Sequence, residues 1–132
     1  MTDVVPTVEP VPTSDGLLAQ SRKYQLLAIP MFVMTTFPGE AGMAPVQEAV
    51  PAHLEYWAKL EEEGVMFVGG PVLSDPGSDP WSGDGMIIFR AQSLAAAHAI
   101  AGADPMHASG ARQYELRRWL LNHLVVPDEA KS

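Results

Sequence analysis

The chain has 132 residues, 47% of them apolar and 18% charged, with eight Lys plus Arg against sixteen Asp plus Glu and a formal charge of −8. That length predicts one domain able to bury roughly two-thirds of its unfolded surface, and the acidic balance excludes the basic face that nucleic-acid binding needs. No cysteine is present, which removes disulfide frameworks, thiolate nucleophiles and thiolate-held zinc, and fits a reducing cytoplasm, the expected compartment.

Residues 1–22 read as a proline-rich arm. Pro6, Pro10 and Pro12 fix φ and remove donors, so an extended or polyproline II strap is expected. It is either a disordered leader or an arm that lays Val4, Val5, Val8 and Val11 on a partner subunit. It lacks the basic start and apolar core of a signal peptide. The apolar run around Leu26–Val33 falls short of the about 20 residues of a membrane span, so no membrane association is expected.

Residues 23–125 form the expected folded domain and 126–132 a polar tail. A strand is predicted over Tyr24–Thr36, rich in β-branched and aromatic residues. Pro30 inside it calls for an edge or a bulge. A loop follows, then a helix over Pro51–Glu63, with proline in its first turn, Leu54, Trp57 and Leu60 at helical spacing and Gly64 as its stop. Strands are predicted over Val65–Val72 and Asp84–Arg90, a helix capped by Ser93, and a last strand over Arg112–Leu124.

The order β-α-β-β-α-β predicts an α+β, ferredoxin-like fold: a four-stranded antiparallel sheet with two helices on one face. Met66, Phe67 and Val68, and then Met86 to Phe89, are apolar at both parities. The sheet's second face therefore needs a cover as well. A second copy packed face to face would supply it, making a homodimeric α+β barrel.

No HExxH, glycine-rich phosphate loop or GxSxG is present, so neither a metal nor an organic cofactor is expected. His53 falls in the first turn of the helix drawn from Pro51, where the helix dipole would favour the neutral base. Asp104 precedes Pro105, a pair that also opens ordinary turns. His107 follows in the same turn, either sharing the Asp104 carboxylate or pointing to solvent. His98 is expected among the alanines of its helix and His123 near a frayed end. Trp57 sits at core spacing, and Trp81, in a loop, is a dimer anchor or a pocket wall. Arg117 and Arg118 point to opposite faces of a strand. The inward one, taken as Arg118, would select a carboxylate or enolate.

From Pro51 onward the sequence resembles the YCII-related (YciI-like) family of dimeric α+β barrel proteins. The resemblance rests on Pro51-Ala52-His53-Leu54, Gly70-Pro71, Ser82-Gly83-Asp84-Gly85, Ser93 to Ala97, Ala103-Asp104-Pro105, Met106 to Gly110 and the closing Tyr114 to Trp119, and covers about residues 24–121. It implies that His53 and Asp104 form a catalytic dyad, that Ser82 or Gly83 lies near the pocket, and that His107 lines the same cleft. Many members carry an arginine just before the Pro-Ala-His-Leu segment, where this chain has Val50. A ligand anion held there would need Arg112, Arg117 or Arg118 instead. The family resembles muconolactone isomerase-type proteins in fold, and one branch looks like dehydrochlorinases of chloroaromatic breakdown.

The expected function is therefore a cofactor-free acid–base enzyme of lyase, isomerase or cyclase type. His53, oriented by Asp104, would abstract a proton from a small aromatic, lactone or polyketide-like substrate held by His107, Ser82, Trp81, Trp57 and Arg118. The alternatives are a non-catalytic metabolite-binding or pathway-assembly dimer and a cofactor-independent monooxygenase of the same fold.

Overall fold

Short stretches of β-branched and aromatic residues separate two long apolar-periodic segments, and each class forms the element its period dictates. The computed structural model describes residues 10–77 and 79–127. Val4, Val5, Val8 and Pro6 of the expected arm, Ser78 and the tail from 128 lie outside them. The described residues divide into two units, 30–120 and, separately, 10–29 with 121–127. The ends of the expected 23–125 domain thus group with the arm.

In the smaller unit the strap is corrected. Its second half is a helix, α1 (Ser14–Lys23), begun just beyond Pro12 by Thr13, whose hydroxyl accepts from the Gly16 amide at 3.0 Å. The strand expected from Tyr24 starts only at Ile29, because Gln25 and Ala28 take positive φ values of 60° and 53°. Asn122 ties this segment together: its carbonyl and side-chain oxygen accept from the Leu27 and Ala28 amides, and its Nδ2 donates to Ser21 Oγ.

The larger unit carries the sheet, β1 (Ile29–Pro38), β2 (Met66–Pro71), β3 (Gly85–Phe89) and β4 (Arg112–Leu121), in the antiparallel order β2-β3-β1-β4. This is the ferredoxin-like α+β fold. β1 is central, so the edge expected for Pro30 is corrected. Proline is tolerated because the ladder with β3 begins only at Phe32, and the irregular register lies instead in β2, between Met66 and Val68.

The helix drawn from Pro51 begins eight residues earlier. α2 spans Met43–Glu62 with Pro51 inside it, and one rung, to the Gln47 carbonyl, is missing for want of a donor. Burial of Val46 against Met106 and Ala111 draws the first half into the helix, overriding the local stop signals. Its end follows expectation. Gly64 at φ 77° lets the Val65 and Gly64 amides return to the Leu60 and Glu61 carbonyls.

α3 (Leu94–Gly102) is capped by Ser93 Oγ, and the turn at Asp104 contains a four-residue helix, α4 (Pro105–Ala108). Trp57 from α2 and Ala97 and Ala101 from α3 pack on Phe32, Met34, Ile87 and Phe89 of the sheet. Both helices thus lie on one face. On the other face the alternation leaves Val68 and Met86 47% and 42% exposed.

Candidate active site

Asp104 is the N-cap of α4, and its Oδ1 accepts from the Met106 amide at 2.8 Å. Capping aims Oδ2 at α2. Two donors from successive turns of that helix converge on it, His53 Nδ1 and Trp57 Nε1, each at 2.7 Å. Positions i and i+4 share one helix face, so the His53–Trp57 spacing suits a common target. Asp104 is fully buried. Burial pushes its carboxyl pKa up, but the bonds from His53, Trp57 and the Met106 amide outweigh that and hold it below the usual carboxylate range.

This arrangement sets the His53 tautomer. A carboxylate only accepts, so Nδ1 carries the proton and the basic lone pair of neutral His53 sits on Nε2. No protein group hydrogen-bonds Nε2 among the described residues, and the side chain is 20% exposed. His53 lies in the middle of α2, not in its first turn. The expected place of His53 in a first helical turn is therefore corrected, and its tautomer is set by Asp104.

His53 borders a cavity of about 590 Å³, within the range of small-molecule sites. Its walls are mainly apolar, with Met43, Val46, Met66, Ile87 and Met106 beside Trp57 and Trp81. Among its polar groups are Thr36, His53 and Arg112. Arg112 is 6% exposed, donates through Nη1 to the Gly83 carbonyl at 2.6 Å and lies 5.7 Å from the Trp81 ring centroid. Gly83 has φ 93°, and a Cβ there would approach Pro38 Cγ to 2.4 Å, so the loop reaches Arg112 only with glycine. Trp81 is anchored by its indole N–H to the Val72 and Asp84 carbonyls.

The family model described as the YCII-related domain matches residues 31–120. The chain belongs to the YCII-related family. Among solved structures it is similar to 5-chloro-2-hydroxyhydroquinone dehydrochlorinase from Burkholderia phenoliruptrix AC1100, in complex with 2,5-dihydroxybenzoquinone. The identity is 23% and the TM-score 0.54, covering 67% of this chain and 92% of that one. It is also similar to a dimeric ferredoxin-like protein from an uncultured marine organism, at 13% identity and TM-score 0.43, covering 73% and 96% of the two chains. The first likeness supports the fold. No match was found among curated proteins.

In this YCII-related chain the expected residues separate into two groups. His53, Trp57 and Trp81 line the cavity, and Asp104 stands behind His53. His107, Ser82 and Arg118 do not line it, which corrects their expected places. His107 neither shares the Asp104 carboxylate nor points to solvent. Its Nδ1 donates to the Ala101 carbonyl at 2.7 Å and its Nε2 accepts from Thr36 Oγ1 at 2.8 Å. It therefore supports Thr36, which does face the cavity. Ser82 is exposed between Trp81 and Gly83.

Arg118 has the inward parity but lies six residues beyond Arg112, about 20 Å along a strand, and is exposed. The cavity's cation is Arg112. The signal that locates it is alternation: Tyr114 and Leu116 pack on the core, and Arg112 shares their parity at the cavity end of β4. Among the described residues no cluster of three or more His, Asp and Glu gathers to hold a metal ion, and no helix is long and apolar enough to cross a membrane.

Proposed function

We propose that this protein is an acid–base enzyme of lyase or isomerase type that abstracts a proton from a small aromatic, quinonoid or lactone substrate. The observation that carries the reading is the 2.7 Å bond between His53 Nδ1 and Asp104 Oδ2 at the wall of an apolar cavity. Nε2 takes a proton from carbon next to a carbonyl, or from a ring hydroxyl. The C–H or O–H electron pair moves into the conjugated system as an enolate or phenolate. In an elimination that pair returns to expel a leaving group with its bonding electrons. In an isomerisation the imidazolium returns the proton at another carbon. Asp104 keeps its negative charge throughout and stabilises the imidazolium, and a base placed in this way contributes about 10²–10⁴-fold. The step needs only a base, a polarised carbonyl and exclusion of water.

A dehydrochlorination, the reaction that names the solved relative, is one elimination of this form, and halogenated hydroxyquinols are the first substrates to try. The test is turnover on a panel of phenols, hydroxyquinones and lactones with wild type and His53→Ala. Loss of turnover in a variant that keeps its fold supports the assignment. Unchanged turnover overturns it and leaves a binding module.

We also propose that two copies pair through the sheet face opposite the helices. The exposed Val68 and Met86 support this, since both lie on that face.

A further inference from the structure

Arg112 is a buried cation without a matching anion. The residue is 6% exposed, and a charge at such a site normally finds a paired, hydrogen-bonded counter-ion. Among the described residues no carboxylate lies within ion-pair distance of it, the one such pair being His53 with Asp104. Asp104 is within electrostatic reach, but its oxygens are already taken by His53, Trp57 and the Met106 amide. Asp84 acts on Arg112 through its field only. Glu61 also borders the cavity and is exposed to solvent.

The guanidinium has five N–H donors, and the one hydrogen bond found for it, to the Gly83 carbonyl, uses Nη1. No fully buried side-chain nitrogen among the described residues lacks a partner. Nε and Nη2, which have no partner among the described residues, therefore each keep some accessible surface, and Arg112 lines the cavity. The Gly83 carbonyl holds Nη1 and the guanidinium carbon lies 5.7 Å from the Trp81 ring centroid, contacts that restrain the fork.

We propose that Arg112 is the specificity residue of this cavity and binds an anionic oxygen of the ligand, a carboxylate or an ionised hydroxyl on an apolar ring. The site then selects ring compounds that enter as anions. The apolar walls take the ring and Arg112 takes the charge. This rests on the cavity being the ligand site named above, but not on His53 acting as a base.

The test is isothermal calorimetry with 2-naphthoate and its uncharged counterpart 2-naphthamide, on wild type, Arg112→Gln and His53→Ala. Glutamine keeps an amide donor on a shorter side chain and removes the charge. Wild type is expected to prefer the naphthoate by about ten- to a hundredfold, the size of a charge-assisted hydrogen bond. Arg112→Gln should lose that preference and His53→Ala should retain it. Should Arg112→Gln fail to fold, the Arg112 Nε–H signal in a proton–nitrogen spectrum of wild type is read instead, and it should shift with naphthoate and not with naphthamide. Equal or undetectable binding of both probes by wild type, a preference that survives in folded Arg112→Gln, or an unmoved Nε–H signal each overturns the proposal. A naphthoate preference in a protein whose His53→Ala variant turns over normally would retain this site while removing the catalytic reading.

Discussion

His53 and Asp104 stand 51 positions apart in the chain and share a 2.7 Å hydrogen bond, with the carboxylate fully buried and the imidazole at a cavity wall. One partner is a satisfied structural group, and the other is a side chain with one nitrogen held and one available. Asp104→Asn should therefore act on both stability and turnover. Replacing the carboxylate weakens the charge-assisted bonds it accepts from His53, Trp57 and the Met106 amide, a loss of about 1–3 kcal/mol, read as a lower urea midpoint. An amide can also offer the wrong partner to Nδ1, so turnover should fall by about 10²–10⁴-fold. Normal turnover in a folded Asp104→Asn protein would remove the dyad.

Trp57→Phe separates packing from polarity. Phenylalanine keeps most of the ring volume against Phe89 and Tyr56 but deletes one of the two donors to Oδ2. Leaving a buried carboxylate one donor short costs about 1–3 kcal/mol. Chemical denaturation of the two proteins at neutral pH measures this, and equal midpoints would mean that the indole N–H contributes nothing.

Acid should weaken the fold in two stages. Burial holds the His107 pKa below the ordinary histidine value of about 6.5, its bond to Ala101 and the field of Asp104 opposing and those of His53 and Arg112 assisting. The unfolded chain then binds a proton first, so this contribution is complete above about pH 6.5 and is lost as the pH falls from there through the lower folded value. Asp104 follows the depressed-carboxylate rule: its contribution is present above about pH 4 and is lost on further acidification through its folded pKa. Melting temperatures between pH 7.5 and 5 should decline in wild type and decline less in His107→Gln. Parallel declines would refute the histidine assignment.

Gly83→Ala should be destabilising. The new methyl meets Pro38 Cγ at 2.4 Å and Met43 Sδ at 2.6 Å, on a backbone at φ 93°. The positive φ and the contacts together cost more than about 1 kcal/mol. Gly70→Ala is the control, because nothing lies within 4 Å of its Cβ position. Thermal melts of the pair should differ clearly, and an unchanged Gly83→Ala melt would show that the loop relaxes freely.

Met86→Lys tests the pairing of two copies. The side chain lies on the sheet face away from the helices and is 42% exposed, so a lysine is tolerated in a monomer and opposed across a two-fold apolar contact. Light scattering should report a dimer for wild type and a monomer for the variant. A wild-type monomer, or a dimer that persists, would contradict the pairing.

Local patterning carried most of the architecture. The strand periodicities, the Ser93 cap and the Gly64 stop are written in residues close together in the chain, and with their order they specify the ferredoxin-like sheet. Where local signals misled, a partner distant in sequence outweighed them. Val46 gained more by packing on Met106 and Ala111 than the Pro51 signal cost, so α2 runs back to Met43. Proline in residues 1–12 said nothing about Ser14–Lys23, which became helix behind its Thr13 cap.

The candidate site divides in the same way. His53, Asp104 and their pairing were legible through family resemblance, but not from the residues alone, because the contact depends on how α2 meets the turn before α4. The choice between Arg112 and Arg118 was equally a tertiary matter. Alternation assigns both the same face of β4, and only the position of the cavity along the strand decides which one borders it. Sequence by itself determined the elements, their order and the chemical types available, since those follow from local sterics and hydrophobic period. Tertiary structure alone decided which of those groups met, because a hydrogen bond needs its partners within about 3 Å and chain spacing does not set that distance.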